Sequence, residues 1–157
     1  VKRCLLDASV LIDLDLARLL GTAAQLDHEL FTVDLVLDEV CSLDARRLLA
    51  EGLDVRELVS EQVASIIDLR RVRTRLSTGD AAALVSARHF GAFLLTGDAR
   101  LRQAAEEEGI RVHGTLWLLR EFVHADLLEP GAPPRIVDEL RAMGRRLPKF
   151  PDEYLRR

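Results

Sequence analysis

The sequence predicts an α/β fold in which a mainly parallel sheet is flanked by helices on both faces. Three observations carry this reading. Short apolar runs of strand length recur along the chain, stretches of helical periodicity separate them, and Gly residues stand at the joints. Strands that alternate with helices in this way form parallel sheets with helical crossovers.

The elements follow in order. Residues 1–6 are an apolar run ending at Asp7, the pattern of a buried strand. Residues 8–20 carry Val10, Leu11, Leu14, Ala17 and Leu20 at helical spacing, and Gly21 interrupts them. Residues 22–29 read as further helix leading into a strand at 30–33. Asp34 is placed to cap a helix with Leu35, Val36, Val40 and Leu43 on its apolar side. A short helix at 44–51 stops at Gly52, and residues 53–59 are expected to form a strand. Residues 61–76 form an amphipathic helix with a basic end. Ser77-Thr78-Gly79-Asp80 opens a helix that runs through Phe90 and closes at Gly91. A strand at 92–96, a helix at 99–108, a strand at 110–113 and a helix at 114–127 complete the alternation. Pro130-Gly131-Ala132-Pro133-Pro134 is a breaker cluster, so the last helix is expected at 135–146, before a Pro-punctuated tail at 147–157.

A chain of 157 residues suits one domain, and 48% apolar with 31% charged residues is a globular composition. Two thiols, Cys4 and Cys41, make neither a disulfide framework nor a zinc site, which suggests a reducing, cytoplasmic setting. The first strand meets acids at Asp7 and Asp13, so a secretory leader is not expected there. No apolar run approaches the roughly 18 residues of a membrane span. The 22 basic and 26 acidic residues give a net charge of −4. That disfavours indiscriminate nucleic-acid binding, which depends on neutralising phosphates, unless acids converge on divalent cations that reverse the local charge.

Sites in open parallel sheets lie beyond the carboxyl ends of the strands. Asp7 and Asp98 each follow an apolar strand, Asp80 lies in the first turn of a helix, and Glu39 is read as lying inside one. Taken singly, each has an ordinary explanation. Asp7 and Asp98 suit N-caps, Asp80 suits a capping box, and Glu39 suits a solvated helix face. Spacing alone does not bring the four together.

The stretches Leu5-Leu6-Asp7-Ala8-Ser9-Val10-Leu11-Ile12, Val36-Leu37-Asp38-Glu39-Val40, Leu76-Ser77-Thr78-Gly79-Asp80-Ala81-Ala82-Ala83-Leu84 and Leu94-Leu95-Thr96-Gly97-Asp98 resemble, in chain order, the four acidic motifs of PIN-domain nucleases. The later run Gly109-Ile110-Arg111-Val112-His113-Gly114-Thr115-Leu116 resembles one branch of that family, and the likeness extends over about residues 2–128. It implies a Rossmann-like PIN domain at 1–128, with a C-terminal helix and tail at 129–157 packed on the same domain. It further implies that Asp7, Glu39, Asp80 and Asp98 are catalytic and hold Mg²⁺ or Mn²⁺, with Ser9 and Thr96 supporting the site. Related chains often carry a further acid beside the third or fourth motif. Here Ala82, Gly97 and Arg100 stand in that neighbourhood, which points to one firmly held metal and a second recruited with substrate.

The implied activity is metal-dependent hydrolysis of RNA phosphodiester bonds, and hard oxygen ligands suit Mg²⁺ or Mn²⁺. The resemblance also implies a bacterial toxin held by a small antitoxin protein, and a homodimer. Arg100 and Arg102 beside the fourth acid, and Arg70, Arg71 and Arg73 before the third, are the expected RNA-binding residues. Arg145, Arg146, Lys149, Arg156 and Arg157 of the C-terminal part are read as solvated. The four histidines are read as surface or helix-end residues, and Leu16, Leu19 and Leu20 as core rather than interface. A haloacid-dehalogenase-type phosphatase also begins with a strand ending in Asp, but needs an acid where Ser9 stands. The non-enzymatic alternative is a catalytically decayed PIN-like module that binds RNA or protein.

Overall fold

The computed structural model describes residues 1–155; Arg156 and Arg157 of the basic tail lie outside the described residues. Five strands, β1 (Arg3–Leu6), β2 (Glu29–Val33), β3 (Asp54–Arg56), β4 (Phe93–Leu95) and β5 (Val112–His113), form one sheet in the order β3-β2-β1-β4-β5. Every pairing is parallel, with Leu5 opposite both Phe31 and Leu94. The fold is therefore the expected α/β architecture.

The strand order fixes where a site can form. From β1 the chain works outward to β3, then returns to the other side of β1 as β4 and continues to β5. The switch between β1 and β4 opens a crevice at their carboxyl ends, the usual ligand position in such sheets. Asp7 follows β1 directly and Asp98 lies just beyond β4.

Helices α1 (Ala8–Leu16), α2 (Leu20–Ala23), α3 (Asp34–Leu37) and α4 (Ala45–Ala50) fill the first half of the chain. Helices α5 (Ser60–Val72), α6 (Thr78–Phe90), α7 (Ala99–Glu107), α8 (Thr115–His124) and α9 (Ala132–Ala142) follow. Helix α6 is the central buttress. Ala81, Ala82, Ala83 and Leu84 are fully buried, and the helix packs against β1, β2 and β4. Small side chains let its backbone approach the sheet, which holds the start of α6 at the strand ends. Gly91 ends α6 in the left-handed region at φ +61°, a conformation glycine adopts without steric cost. Helix α9 and a 3-10 turn at Asp152–Leu155 pack on α8.

Several boundaries differ from expectation. The helix read over 8–20 stops at Leu16, because Arg18 takes a left-handed φ of 58°. Leu19 and Leu20 remain buried after the break, so the apolar spacing runs through it unbroken, while Leu16 is 40% exposed. The helix begun at Asp34 is a single turn, and Glu39 lies in the turn after α3, not inside a helix. Helix α9 begins at Ala132 with Pro133 and Pro134 in its first turn, where a missing N–H costs no helical bond. It ends at Ala142, short of 146. His28 and His113, expected at the surface or at helix ends, are instead half-buried and stack on the Trp117 ring, with centroids 5.9 and 4.6 Å away.

Candidate active site

Asp7 is 3% exposed, and its carboxylate makes no capping bond to α1 although it stands at that helix's N-cap. Instead Oδ2 accepts hydrogen bonds from Thr96 Oγ1 at 2.7 Å and Ser9 Oγ at 3.2 Å. The ordinary cap explanation for this acid therefore does not account for its position. Thr96 directly follows β4 with its side chain fully buried, and its hydroxyl also accepts from the Asp98 backbone N–H at 3.1 Å. Ser9 Oγ in turn accepts from the Gly97 N–H at 2.9 Å. Together Ser9 and Thr96 tie the loop after β4 to the start of α1, and so fix the first acid beside the fourth.

The third acid is built into the start of α6. Ser77 Oγ accepts from the Asp80 N–H at 3.0 Å, and Asp80 Oδ2 accepts from the Ser77 N–H at 3.1 Å, a reciprocal capping box. Glu39 reaches the same helix start from the turn after α3. Its Oε1 accepts from the Gly79 N–H at 2.8 Å and its Oε2 from Ser77 Oγ at 3.1 Å. Gly79 is required by close approach rather than by an unusual φ. A Cβ there would lie 2.3 Å from the Glu39 carboxyl carbon. The fourth acid, Asp98, caps α7 by accepting from the Leu101 N–H through Oδ1 at 2.9 Å.

These acids sense one another. Burial pushes the Asp7 carboxyl up to about 6, against hydrogen bonds from Thr96 and Ser9 that pull it down, and the Asp80 charge adds to the rise. Burial also raises Asp80, with further repulsion from Asp98 and Glu39. Four carboxylates from four separate segments thus share one negative region at the crevice.

The donor set matches a hard divalent cation. All four groups are oxygen donors, and mutual repulsion is the condition a cation relieves. Asp7, Asp80 and Asp98 are each held to neighbouring side chains or helix starts through one oxygen. Glu39 is engaged through both. Among the described residues no three acidic, His or Cys side chains close into a ready-made ligand cluster. The residues fit such an ion in chemistry and location, and a cation or substrate would have to draw the carboxylates together.

The arginines divide into two groups. Arg73 is committed to Glu107 and Glu108, at 2.8 and 3.3 Å, and Arg71 faces Asp68 at 3.6 Å. Arg70 donates to the Leu76 carbonyl at 3.4 Å, and Arg102 to the Thr96 carbonyl at 3.2 Å, so Arg102 braces the loop that carries Thr96. Arg100 is exposed beside Asp98, and with Arg73 and Arg75 it lines a groove of about 330 Å³ between the end of α5 and α7. Arg75 belongs to the same basic run as Arg70, Arg71 and Arg73.

Thr96→Val preserves side-chain shape and removes both hydroxyl bonds. It is expected to cost about 2 kcal/mol in urea unfolding, because a buried carboxylate loses its shortest hydrogen bond. That bond lowers the Asp7 pKa, so its loss raises it further. The acid limb of any Asp7-dependent activity should then move to higher pH, and a pH–rate profile that does not move would separate Thr96 from Asp7.

Residues 3–155 match a family model described as PIN domain. No curated protein matches the chain. Among solved structures, the chain is similar to the PilT N-terminus domain protein SSO1118 from the hyperthermophilic archaeon Sulfolobus solfataricus P2. The identity is 18% and the TM-score 0.54, over 81% of this chain and 94% of that one. It is also similar to PAE2754 from Pyrobaculum aerophilum, at 20% identity and TM-score 0.57, over 75% of this chain and 94% of that one. At these identities the two structures speak for the fold alone.

Proposed function

Because the chain belongs to the PIN-domain family, whose members are generally nucleases that use divalent metal ions, we propose that it is a Mg²⁺- or Mn²⁺-dependent endoribonuclease. The observation that carries the proposal is the delivery of Asp7, Glu39, Asp80 and Asp98 to the β1–β4 crevice, where repulsion and burial raise Asp7 and Asp80. A bound divalent ion would supply Lewis-acid polarisation of the phosphoryl oxygen and lower the pKa of an attacking water.

The chain's own residues do the rest. Thr96 and Ser9 hold Asp7 in one orientation, and the capping box holds Asp80. Asp98 is held at the start of α7 and Glu39 at the start of α6. Arg100 and Arg75 offer cations to the RNA backbone along the neighbouring groove. Arg70, Arg71 and Arg73 contribute to the general positive field of that flank, with Arg73 partly neutralised by its glutamates.

We further assign the protein to the toxin arm of a toxin–antitoxin pair, acting in the cytoplasm as a homodimer and held by a small antitoxin. Support for this is the resemblance of the four acidic stretches to those of PIN-domain nucleases, a family in which small stand-alone members resemble toxins. The engagement of both Glu39 oxygens favours one competing reading, a decayed module that binds RNA without cutting it.

Fluorescent single-stranded and hairpin RNAs incubated with the protein decide between them. Cleavage is expected with Mn²⁺ or Mg²⁺ and is expected to stop on chelation with EDTA. Cutting that persists in EDTA and in Asp7→Asn would defeat the mechanism. Absence of both cleavage and calorimetric Mn²⁺ binding at millimolar metal would favour the decayed module.

A further inference from the structure

The C-terminal segment returns to the acid crevice through a buried polar node. Asp13, on the inner face of α1, is 3% exposed and accepts from Thr115 Oγ1 at 2.7 Å through Oδ2 and from Arg145 Nε at 2.7 Å through Oδ1. The same guanidinium donates to the Ser9 carbonyl at 3.2 Å. Gly144, at φ +88°, turns the chain out of α9 so that Arg145 points inward. A buried carboxylate with two short partners, 102 and 132 residues away in sequence, is a fixed anchor rather than a surface ion pair. It sets the position of the next residue, Arg146.

Arg146 is exposed and has no ion-pair partner among the described residues. It lines a cavity of about 240 Å³ together with Ser9, Gly97 and Asp98. The Asp13 charge is balanced by Arg145, and the Gly97 N–H is already given to Ser9. The uncommitted cation at this side of the fourth acid is therefore Arg146. We propose that Arg146, presented by the Arg145–Asp13–Thr115 clamp, binds a backbone phosphate of the RNA adjacent to the one held at the acids. This rests on the nuclease reading and extends it. RNA would cross the crevice from the Arg75–Arg100 groove on one side of α7 to Arg146 on the other.

The test is the salt dependence of RNA binding, read by fluorescence anisotropy in EDTA with a labelled single-stranded RNA of about twelve nucleotides. Each single-strand phosphate contact contributes about 0.7 to the slope of log affinity against log salt. Arg146→Ala should lower that slope by about 0.7 and weaken binding by roughly fivefold at low salt. Arg46→Ala, which removes an exposed cation from α4, should change neither. Arg145→Met should reproduce the Arg146→Ala loss, and the double variant should show no further loss, because one substitution already releases the segment. Wild-type slope and affinity in Arg146→Ala would overturn this inference while leaving the nuclease reading intact. A wild-type protein with no salt-dependent RNA binding and no RNA cleavage would overturn both.

Discussion

Asp7→Asn is expected to abolish RNA cleavage, by about a thousandfold or more, while making the protein more stable at neutral pH. The two effects have one cause. Asp7 is buried, and its pKa in the fold is about 6 against 3.8 for an ordinary aspartate. A shift of that size corresponds to roughly 3 kcal/mol between the two protonation states. Because the folded value lies above the unfolded one, the associated stability is fully present below about pH 4. It is lost as pH rises through about 6, so at neutral pH the fold carries a strained negative charge. An amide keeps an oxygen to accept the Thr96 hydroxyl and carries no charge. Unfolding measured from pH 4 to 8 should show a falling limb in the wild type that is missing in Asp7→Asn, and a gain on the order of 1–2 kcal/mol at pH 7.5. Mn²⁺ should raise the melting temperature of the wild type at that pH and leave the variant unmoved, since the ion compensates a charge the variant lacks. A variant less stable than wild type at pH 7.5, with an undiminished Mn²⁺ shift, would make Asp7 a structural residue and remove the central ligand from the proposed site.

Two of the four acids were legible by position, because each follows an apolar strand, while Asp80 and Glu39 were reached only through the resemblance of their motifs. Asp7 after Leu5-Leu6 and Asp98 after Leu94-Leu95 are strand-end acids, and a parallel sheet gathers strand ends on one edge. Thr96 was reached only through the resemblance of the fourth motif, and its bonds to Asp7 and to the Asp98 N–H were not legible. What stayed hidden depends on contacts between distant segments or on single backbone dihedrals. Arg18 breaks the first helix through a positive φ that no neighbouring residue signals, since Leu19 and Leu20 keep the apolar spacing. The breaker cluster at Pro133-Pro134 begins a helix instead of preventing one, because a proline's cost depends on its turn. Asp13 entered only as an acid that speaks against a leader, and Arg145 as one more tail cation. Only the fold shows that they meet. The same holds for Arg73, whose place in a basic run gave no hint that Glu107 at the end of α7 and Glu108 just beyond it would claim it.

Gly79→Ala is expected to lower activity by 10- to 100-fold with little change in stability, the scale usual for disturbing the groups that orient a metal ligand. The new Cβ would sit 2.3 Å from the Glu39 carboxyl carbon and 2.4 and 2.7 Å from its two oxygens. The three nearest atoms all belong to the Glu39 carboxyl group, so relief comes from the free end of one side chain. Glu39 must leave the Gly79 N–H and Ser77 Oγ, which costs charge-assisted hydrogen bonds. Alanine inside a helix returns about 0.5–1 kcal/mol relative to glycine, and the two effects largely offset. Activity and stability should therefore separate: the melting temperature stays near wild type while cleavage falls. Glu39→Ala alone should give a comparable loss, and adding it to Gly79→Ala should reduce activity no further, because both remove the same carboxylate from the same place. If Gly79→Ala instead cleaves RNA at the wild-type rate, Glu39 does not work from its seat on α6. The site would then have to be rebuilt around Asp7, Asp80 and Asp98 alone.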